Sequence, residues 1–229
     1  MSIPVDQWQP SIQAIAQRFD REFRREPFNL PPEVESMPIF QEWAAGKLQP
    51  KLTSPFWDLI KPKKNDRILD LGCGLSFLVY PCWRDWDAYF YGQEVSTFAK
   101  EFLDSRGSQL NSKLFKGVAY APAHVCAYNE MQFDGAIATG FSCYYSIEYW
   151  EAVLTVVKKS LKPGGSFVFD LLNPETELAE NWAILETYLG AEVFLEPLSK
   201  WEALIKSIGG KIQKQQPGTL FNLYKITFP

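Results

Sequence analysis

The pattern of apolar and polar positions changes character near residue 62 of the 229-residue chain. Between Pro10 and Glu26 apolar residues recur every three to four positions, which predicts a helix with one buried face. Those positions are Ile12, Ile15, Ala16, Phe19 and Phe23. Charged residues fill the other positions, and the opposite charges of Arg18 and Glu22 stand four residues apart. We therefore interpret the remaining faces of this helix as solvated.

Three prolines between residues 27 and 32 end this helix. Two shorter helices with aromatic side chains are predicted after them, around Ile39–Gly46 and Thr53–Ile60. We interpret residues 1–62 as a helical extension that lies against the main domain. A lid that closes over a pocket and a cover for an edge of the sheet fit this pattern equally well.

From Asp66 onward, short apolar runs alternate with helical patterns. The predicted strands are Ile68–Leu71, Ala88–Gln93, Lys113–Val118, Phe133–Ala138 and Ser166–Leu172. One crossover helix is predicted to start near Ser96, and another covers Ile147–Leu161, where Pro163-Gly164-Gly165 ends it. Strands that alternate with crossover helices predict a parallel sheet with both faces covered.

The C-terminal part of the chain has a different pattern. Ser199-Lys200-Trp201-Glu202 has the form of a capping box, and the helix that it opens is predicted to stop at Gly209-Gly210. Lys211–Gln216 and Thr219–Phe228 are then joined by Pro217-Gly218, which predicts a β-hairpin.

Composition and charge exclude several classes of protein. With 46% apolar and 22% charged residues, the chain reads as one folded domain, or one domain with an appendage. Its net charge of −4 and the lack of a basic stretch argue against nucleic acid as substrate. Four cysteines without metal-ligand spacing and one histidine argue against a metal site. Reduced thiols and the lack of a membrane span or leader predict a cytoplasmic protein.

The most informative motif is Arg67-Ile68-Leu69-Asp70-Leu71-Gly72-Cys73-Gly74. In this motif an apolar run ends in an acid, and two glycines follow at alternate positions. This pattern predicts a buried strand that turns sharply into a helix. Glycine permits the turn and lets a ligand approach the peptide N–H groups closely. The motif resembles the first signature of the class I S-adenosylmethionine-dependent methyltransferases. In that family the loop holds the methionine end of the cofactor.

A second motif, Tyr91-Gly92-Gln93-Glu94-Val95-Ser96, puts a carboxylate at the end of the second strand, 24 residues after Asp70. A carboxylate there can accept two hydrogen bonds from a ribose diol. In the family this acid holds the ribose hydroxyls. A surface acid before a helix N-terminus is the alternative for Glu94 taken alone.

Two further strings extend the resemblance over residues 63–229. Gln132–Ala138 resembles the fourth-strand motif of the family, and Leu161–Phe167 resembles the turn before its fifth strand. An NAD-binding fold fits less well, because Phe77 stands where its third glycine belongs. The resemblance implies an α/β three-layer sandwich with a seven-stranded, mostly parallel sheet, a C-terminal antiparallel hairpin and the N-terminal helical extension.

The resemblance also implies a cofactor, S-adenosylmethionine, and a set of residues that bind it. These are Asp70, Gly72, Cys73, Gly74, Glu94, Val95, Val118, Ala119, Thr139 and Gly140. The chain departs from the family in two places. Ser76 replaces the third glycine of the first motif, and Gly117–Tyr120 lacks the acid that often binds the adenine amino group. Backbone groups of Val118 and Ala119 are the predicted substitutes for that acid.

Candidates for the acceptor site follow the fourth and fifth strands, at the sheet edge where ligands bind in open α/β folds. Tyr144 and Tyr145 are predicted to contact the acceptor or take part in catalysis, with plain packing as the alternative. Asn173 is a further candidate, whereas Asp170 is predicted to face into the structure. His124, the sole histidine, is either structural or catalytic.

The sequence therefore predicts a methyltransferase for a small, partly apolar metabolite. Methyl transfer from a sulfonium needs alignment above all, and a general base only where the acceptor must lose a proton. The Asn-Pro-Pro-aromatic string of some family members is absent after the fourth strand. A methyltransferase with a protein acceptor and a non-catalytic module that binds the cofactor remain as alternatives, and the oligomeric state stays open.

Overall fold

The computed structural model describes residues 5–107, 109–110 and 114–229, without the side chains of residues 5 and 6. A seven-stranded sheet with the order β3-β2-β1-β4-β5-β7-β6 lies at its centre. The strands are β1 (Arg67–Leu71), β2 (Tyr89–Glu94), β3 (Phe115–Tyr120), β4 (Phe133–Ala138), β5 (Leu161–Leu172), β6 (Lys211–Gln216) and β7 (Phe221–Thr227).

Five strands of the sheet run parallel, and the last two form an antiparallel hairpin. Strand β1 pairs in parallel with β2 and β4, so that Asp70 lies opposite Gly92 on one side and Ile137 on the other. Strand β7 inserts between β5 and β6 and is antiparallel to both. This arrangement confirms the predicted fold class.

Helices connect the strands and also fill the segment before β1. The α-helices are α1 (Gln9–Phe23), α2 (Pro32–Glu35), α3 (Pro38–Ala44), α4 (Gln49–Leu52), α5 (Ser76–Val79), α6 (Cys82–Asp85), α7 (Thr97–Arg106), α8 (Ile147–Ser160), α9 (Ala179–Leu189) and α10 (Leu198–Ser207). Short 3-10 helices cover Val5–Trp8, Phe56–Asp58 and Ser142–Tyr144. Within the described residues, no helix has both the length and the apolar character needed to cross a bilayer.

Most predicted elements are present, with some differences in their bounds. Strands β4 and β6 have the predicted ends. The predicted third strand starts at Lys113, which lies outside the described residues; the described strand covers Phe115–Tyr120. Helix α9 was not predicted. It has apolar residues on several faces, so its sequence lacks a single apolar stripe.

The predicted capping box is wrong. Helix α10 begins at Leu198 with Pro197 at its N-cap, and no side chain caps it. Ser199 therefore lies inside the first turn, one residue after the helix begins, and not at the N-cap position that a capping box requires. The predicted turn at Pro163-Gly164-Gly165 lies within β5, where the pairing with β4 shifts its register.

Apolar clusters cover both faces of the sheet. Neighbouring residues of β1 point to opposite faces: Leu69 joins the cluster that contains Trp150, whereas Ile68 joins the cluster that contains Phe56 and Trp83. Aromatic residues make up 15% of the chain, and many of them lie in these clusters, where each ring buries a large area. The observed layers agree with a sheet that is covered by helices on both sides.

Helix α1 is more deeply buried than its charge pattern predicts. Arg18 is only 3% exposed, and its guanidinium donates two hydrogen bonds of 2.8 Å to Glu186 on α9. It also pairs with Glu22 on its own helix. The prediction of a solvated face is therefore wrong at Arg18, since a carboxylate distant in sequence neutralises its charge.

A second carboxylate of α1 contacts the start of α7. Asp20 accepts hydrogen bonds from the hydroxyls of Ser96 and Thr97 and from the backbone N–H of Phe98. A negative charge is favourable at a helix N-terminus, where N–H groups lack partners within the helix. Through Asp20 and Arg18, α1 is attached to α7, which follows β2, and to α9, which follows β5. The division of the chain at residue 62 stays a prediction.

Candidate active site

A cavity of about 360 Å³ lies at the carboxyl ends of β1, β2 and β4. We call it the glycine-loop cavity. Its volume is within the range of small-molecule sites. Of the residues predicted from the sequence, it is lined by Asp70, Gly72, Cys73, Gly74, Glu94, Val95, Thr139, Gly140 and Tyr145. The structure therefore brings most of the predicted cofactor residues to one crevice.

The loop after β1 needs glycine at its first position. Gly72 has a φ of +62°, which side chains other than glycine rarely adopt. A Cβ atom at Gly72 would lie 2.7 Å from the Phe141 ring. Gly72 thus allows the loop to turn and the Phe141 ring, which also lines the cavity, to pack against its backbone.

Glu94 is the central polar group of the cavity wall. Its Oε2 accepts a 2.7 Å hydrogen bond from the Gly74 N–H, and its Oε1 accepts from the N–H groups of Val95 and Ser96 at 2.7 and 2.8 Å. Burial raises the pKa of Glu94, while these three hydrogen bonds act to lower it. The carboxylate is therefore held rigidly at the end of β2 and directly beside the glycine loop.

Asp70 is the second acid of the cavity. Its Oδ2 accepts a 2.6 Å hydrogen bond from the Ser76 hydroxyl, so the residue that replaces the third glycine positions this carboxylate. Burial raises the pKa of Asp70 to about 7, with the nearby Glu94 adding to the rise. The cavity lining, which lies wholly within the described residues, contains these two acids and no Lys, Arg or His.

The peptide N–H groups of the loop do not play the role that the sequence predicts. The N–H groups of Gly72 and Cys73 point to the carbonyl oxygen of Gln93, at 2.8 and 3.4 Å, and that of Gly74 points to Glu94. The donors thus join β1 to β2 and do not face a ligand. A ligand in this cavity meets the two carboxylates and the shape of the loop.

The N-terminal helix forms one wall of the glycine-loop cavity. Ile15, Ala16, Phe19 and Phe23 of α1 all line it. The sequence placed these residues on a buried helix face, and their position in the cavity wall agrees with the lid interpretation of the N-terminal extension. An apolar wall beside Asp70 and Glu94 lowers the local polarity, which strengthens electrostatic interactions with these two acids.

Tyr145, one of two predicted tyrosines, lines the glycine-loop cavity beside Tyr149. Their rings stack with centroids 4.0 Å apart. Burial raises the pKa of Tyr145 well above its ordinary value, so its hydroxyl stays protonated. Tyr145 can therefore donate a hydrogen bond or pack against a ligand, and it does not supply a phenolate base at neutral pH.

Val118 and Ala119, the predicted adenine contacts, do not line this cavity. They pair with Gly92 and Gln93 in the sheet, and Ala121 and Ala123 line the cavity in their place. Both lining alanines follow the end of β3, and the adenine contact of Val118 and Ala119 stays a prediction.

His124 and Asn173 also lie outside the cavities described here. His124 packs edge-on against Trp8 and Tyr149, and burial lowers its pKa. The side chain of Asn173 accepts a hydrogen bond from the backbone N–H of Glu175. These contacts favour the structural alternative for His124, and the acceptor role of Asn173 stays a prediction.

A second cavity of about 310 Å³ adjoins the first and shares Phe19, Gln49, Tyr80, Thr139 and Gly140 with it. We call it the Asp170 cavity. It lies between helix α1, the segment before β1 and the carboxyl end of β5. Its other lining residues include Arg18, Glu22, Trp43, Ser54, Tyr144, Asp170, Trp182 and Phe221. The predicted Tyr144 thus faces this cavity and not the first.

Asp170 is fully buried in the wall of the second cavity. Its carboxylate accepts a 2.6 Å hydrogen bond from the Ser54 hydroxyl and accepts the Gly140 N–H at 2.9 and 3.0 Å. Burial raises the pKa of Asp170 to about 7, and the two hydrogen-bond donors limit the rise. The prediction that Asp170 faces into the structure missed its position beside a cavity.

Comparison with known proteins identifies the fold and then the family. The structure superposes on geranyl diphosphate C-methyltransferase from Streptomyces coelicolor with a TM-score of 0.69, at 11% identity and over 96% of this chain and 98% of that one. Residues 69–169 match the sequence model of a methyltransferase domain. The chain contains a class I methyltransferase domain.

Two other relatives bear on the function of this methyltransferase domain. The biotin biosynthesis bifunctional protein BioHC of Saccharophagus degradans is 29% identical over 177 residues, which is 73% of this chain but only 30% of that protein. The [4+2]-cyclase SpnF has the same fold, with a TM-score of 0.62 and 14% identity over 76% of this chain and 78% of its own. The fold alone therefore does not determine the reaction.

The methyltransferase domain fits S-adenosylmethionine, the cofactor of its family. A carboxylate offers roughly four acceptor directions. Backbone N–H groups use three at Glu94, which leaves one for a ribose hydroxyl. The cofactor also carries positive charge on its sulfonium and amino groups, and Asp70 and Glu94 complement that charge.

Several residues that line the two cavities of the methyltransferase domain were not predicted from the sequence. Phe141 directly follows the predicted Thr139 and Gly140, but its contact with Gly72 depends on the pairing of β1 with β4. The sequence does contain a signal for Asp170, because this residue is a single acid within the apolar run Ser-Phe-Val-Phe-Asp-Leu-Leu. A carboxylate in a buried strand is costly without a partner, so its presence there is itself a signal of function.

Proposed function

We propose that this protein transfers a methyl group from S-adenosylmethionine to a small, partly apolar acceptor. The observation that carries the proposal is the pair of adjoining cavities that meet at Thr139 and Gly140. One contains the glycine loop and the acids expected of the cofactor site. The other has six aromatic side chains among its sixteen lining residues and has the volume of a small-molecule site.

The cofactor, when bound, supplies a methyl group on a sulfonium that departs as a neutral thioether. In our proposal the Glu94 carboxylate accepts a ribose hydroxyl, and Asp70 lies near the positive end of the cofactor. Phe19 of helix α1 and Tyr80 line both cavities and exclude water where they meet. Alignment of this sort contributes up to about 7–11 kcal/mol to a barrier in ideal cases.

Enclosure of the second cavity supports a small acceptor over a protein side chain. Helix α1 and the segment up to Ser54 lie over it, and α1 is attached by the buried Arg18–Glu186 pair. We propose that this N-terminal extension acts as a lid, which a folded protein acceptor would have to displace. A cytoplasmic location is also proposed, on the basis of the four unpaired cysteines.

Calorimetry with S-adenosylmethionine and S-adenosylhomocysteine, followed by labelled-methyl transfer in a cell extract, tests the proposal. We expect micromolar binding of both and label in a small-molecule fraction. Label in the protein fraction would contradict a small-molecule acceptor and support a protein acceptor. Tight binding without any labelled product would support the non-catalytic module, and absence of binding would refute the cofactor assignment.

A further inference from the structure

We propose that Ser54 and Asp170 form a proton-accepting pair in the acceptor site, and that the acceptor bears an N–H or O–H group on a neutral or cationic molecule. This inference rests on the proposed function and names its acceptor class. It assigns a role to a buried acid that the cofactor site does not use. It also gives the N-terminal segment a direct part in the site.

The geometry of the pair is that of a hydrogen-bond relay. Ser54, which is 6% exposed, donates its hydroxyl to Asp170 at 2.6 Å, and both residues line the Asp170 cavity. A serine hydroxyl that donates to a carboxylate keeps lone pairs to accept a further hydrogen bond. A donor group of the acceptor can therefore bind to Ser54, with Asp170 behind it.

Asp170 is held in place by the loop that joins the two cavities. The Gly140 N–H binds the Asp170 carboxylate, and Gly140 itself lines both cavities. A nucleophile bound at Ser54 is thus near the boundary with the cofactor cavity. This position is where a methyl acceptor has to lie.

The charges of the Asp170 cavity disfavour an anionic acceptor. Its one cationic lining residue within the described chain, Arg18, is already bound to Glu186 and Glu22. Of the two lining acids, Glu22 is paired with Arg18, whereas Asp170 has no cationic partner, so the uncompensated charge of the cavity is that of the Asp170 carboxylate. A phosphate or carboxylate would be repelled there, while an amine or hydroxyl would find an acceptor.

The groups around Asp170 do not change their own charge near pH 7, so Asp170 is the group that titrates there. Tyr80 and Cys143 sense its charge, and burial raises the pKa of each, so both stay neutral near pH 7. Arg18 and Glu22 share the cavity and compensate one another. The raised pKa of about 7 for Asp170 lets it take up a proton near neutral pH.

Protons and electrons balance in the proposed methyl-transfer step. A lone pair on the acceptor nitrogen or oxygen forms the bond to the methyl carbon, while the carbon–sulfur bond breaks and its electron pair stays on sulfur. The acceptor proton passes to the Ser54 oxygen as the Ser54 proton passes to Asp170. For a cationic amine this transfer precedes the attack, because an ammonium nitrogen has no lone pair until it loses a proton. Asp170 then releases one proton to water, which restores the pair.

Matched probes that differ in one group test the charge argument. We choose 2-phenylethylamine, 2-phenylethanol, 3-phenylpropionate and 2-phenylethyl phosphate, each titrated by calorimetry into the complex with S-adenosylhomocysteine. The amine and the alcohol are expected to bind at least about tenfold more tightly than the two anions. Equal or reversed preference, or binding of none of the four, would overturn the assigned acceptor class.

Variants of the pair test the relay itself. In Asp170→Asn we expect amine binding to weaken about tenfold at pH 8 and to lose its increase between pH 6 and pH 8. Methyl transfer to the best probe should fall about 100-fold in both Asp170→Asn and Ser54→Ala. Asp58→Asn, an exposed acid four residues after Ser54, is the matched control and should behave as the parent.

The outcomes separate this inference from the proposed function. Binding of S-adenosylhomocysteine should be unchanged in every variant, which also shows that each variant is folded. A parent protein that does not bind S-adenosylhomocysteine would refute the proposed function. Normal cofactor binding with amine affinity and transfer unaffected by either substitution would refute the relay alone.

Discussion

Gly74 donates its backbone N–H to the Glu94 carboxylate over 2.7 Å, which joins the loop after β1 to the end of β2. The two motifs that the family resemblance assigns to the methionine end and to the ribose of the cofactor are therefore in direct contact. Glu94 orders the loop and lines the cavity at once. A change at Glu94 is consequently expected to act on both the loop and the ligand.

Glu94→Gln should weaken cofactor binding. The amide would turn an N–H₂ group towards at least one of the N–H donors of Gly74, Val95 and Ser96, so donor would face donor. We expect the dissociation constant for S-adenosylhomocysteine to rise by at least about tenfold in calorimetry. Glu130→Gln, an exposed acid before β4, is the control, and equal affinities of the two variants would contradict the assigned role.

Gly72→Ala should damage the cavity more than a comparable glycine change elsewhere. The new Cβ would lie 2.7 Å from the Phe141 ring, so the ring has to move into the cavity. Gly164→Ala is the control, because Gly164 also has a positive φ, of +80°, but has no atom within 4 Å of a new Cβ. Both variants carry backbone strain, so the difference between their free energies of unfolding measures the steric cost of the contact with Phe141.

That difference should be about 1–3 kcal/mol in the free energy of unfolding, measured with urea. Cofactor affinity should fall in Gly72→Ala and stay at the parent value in Gly164→Ala. If both variants bind the cofactor equally well, the contact between Gly72 and Phe141 has no bearing on the site.

Local patterns predicted the sheet well because each strand is marked by residues close together in the chain. Strand β4 has its predicted ends, and Glu94 and Gly74 are brought to one cavity as expected. Their contact depends on the parallel pairing of β1 with β2, which the alternation of strands and helices already implies.

The second cavity could not be predicted in this way, because its walls come from distant parts of the chain. Arg18 reads as a surface residue until Glu186, 168 residues later, is placed beside it. Ser54 and Asp170 are separated by 116 residues and meet only after α1 and the following segment fold over the sheet. Local periodicity contains no information about such pairs.

Asp20→Ala should loosen helix α1 from the rest of the protein. The change removes the acceptor of hydrogen bonds from Ser96, Thr97 and Phe98, at a cost of about 1–2 kcal/mol. Trypsin should then cleave faster after Arg24, an exposed residue at the end of α1. Asp20→Asn keeps one carbonyl acceptor and should show an intermediate rate.

Bound S-adenosylhomocysteine should slow this cleavage in the parent, if α1 closes over the cofactor as a lid. Cleavage rates that are the same with and without the ligand would instead favour a fixed cover. The comparison thus separates the two interpretations of the N-terminal extension.

Arg18→Met should destabilise the protein strongly. It would leave the fully buried Glu186 without its cation, at a cost of about 3–5 kcal/mol in the free energy of unfolding. A double variant with Glu186→Gln should recover at least half of the loss, since the glutamine oxygen still accepts the Tyr144 hydroxyl. Lys100→Met breaks an exposed ion pair with Asp104 and should cost less than about 1 kcal/mol.

Stability should fall as the pH rises from 4 to 7. Burial raises the pKa of Asp70 and Asp170 to about 7, against 3.8 as the ordinary value. Between those values the folded protein binds more protons than the unfolded chain, so the free energy of unfolding decreases with pH and levels off above about pH 8. Each group contributes at most about 4 kcal/mol to this decrease.

Asp170→Asn should remove one of these two contributions. The asparagine oxygen can still accept the Ser54 hydroxyl or the Gly140 N–H, while the cost of burying a charge disappears. Urea unfolding at pH 5, 6.5 and 8 should therefore show a flatter profile and a higher stability at pH 8 than in the parent. Asp58→Asn, which is exposed, should follow the parent at every pH. A parent protein that is more stable at pH 8 than at pH 5 would contradict the raised pKa values, and with them the neutral-pH proton uptake assigned to Asp170.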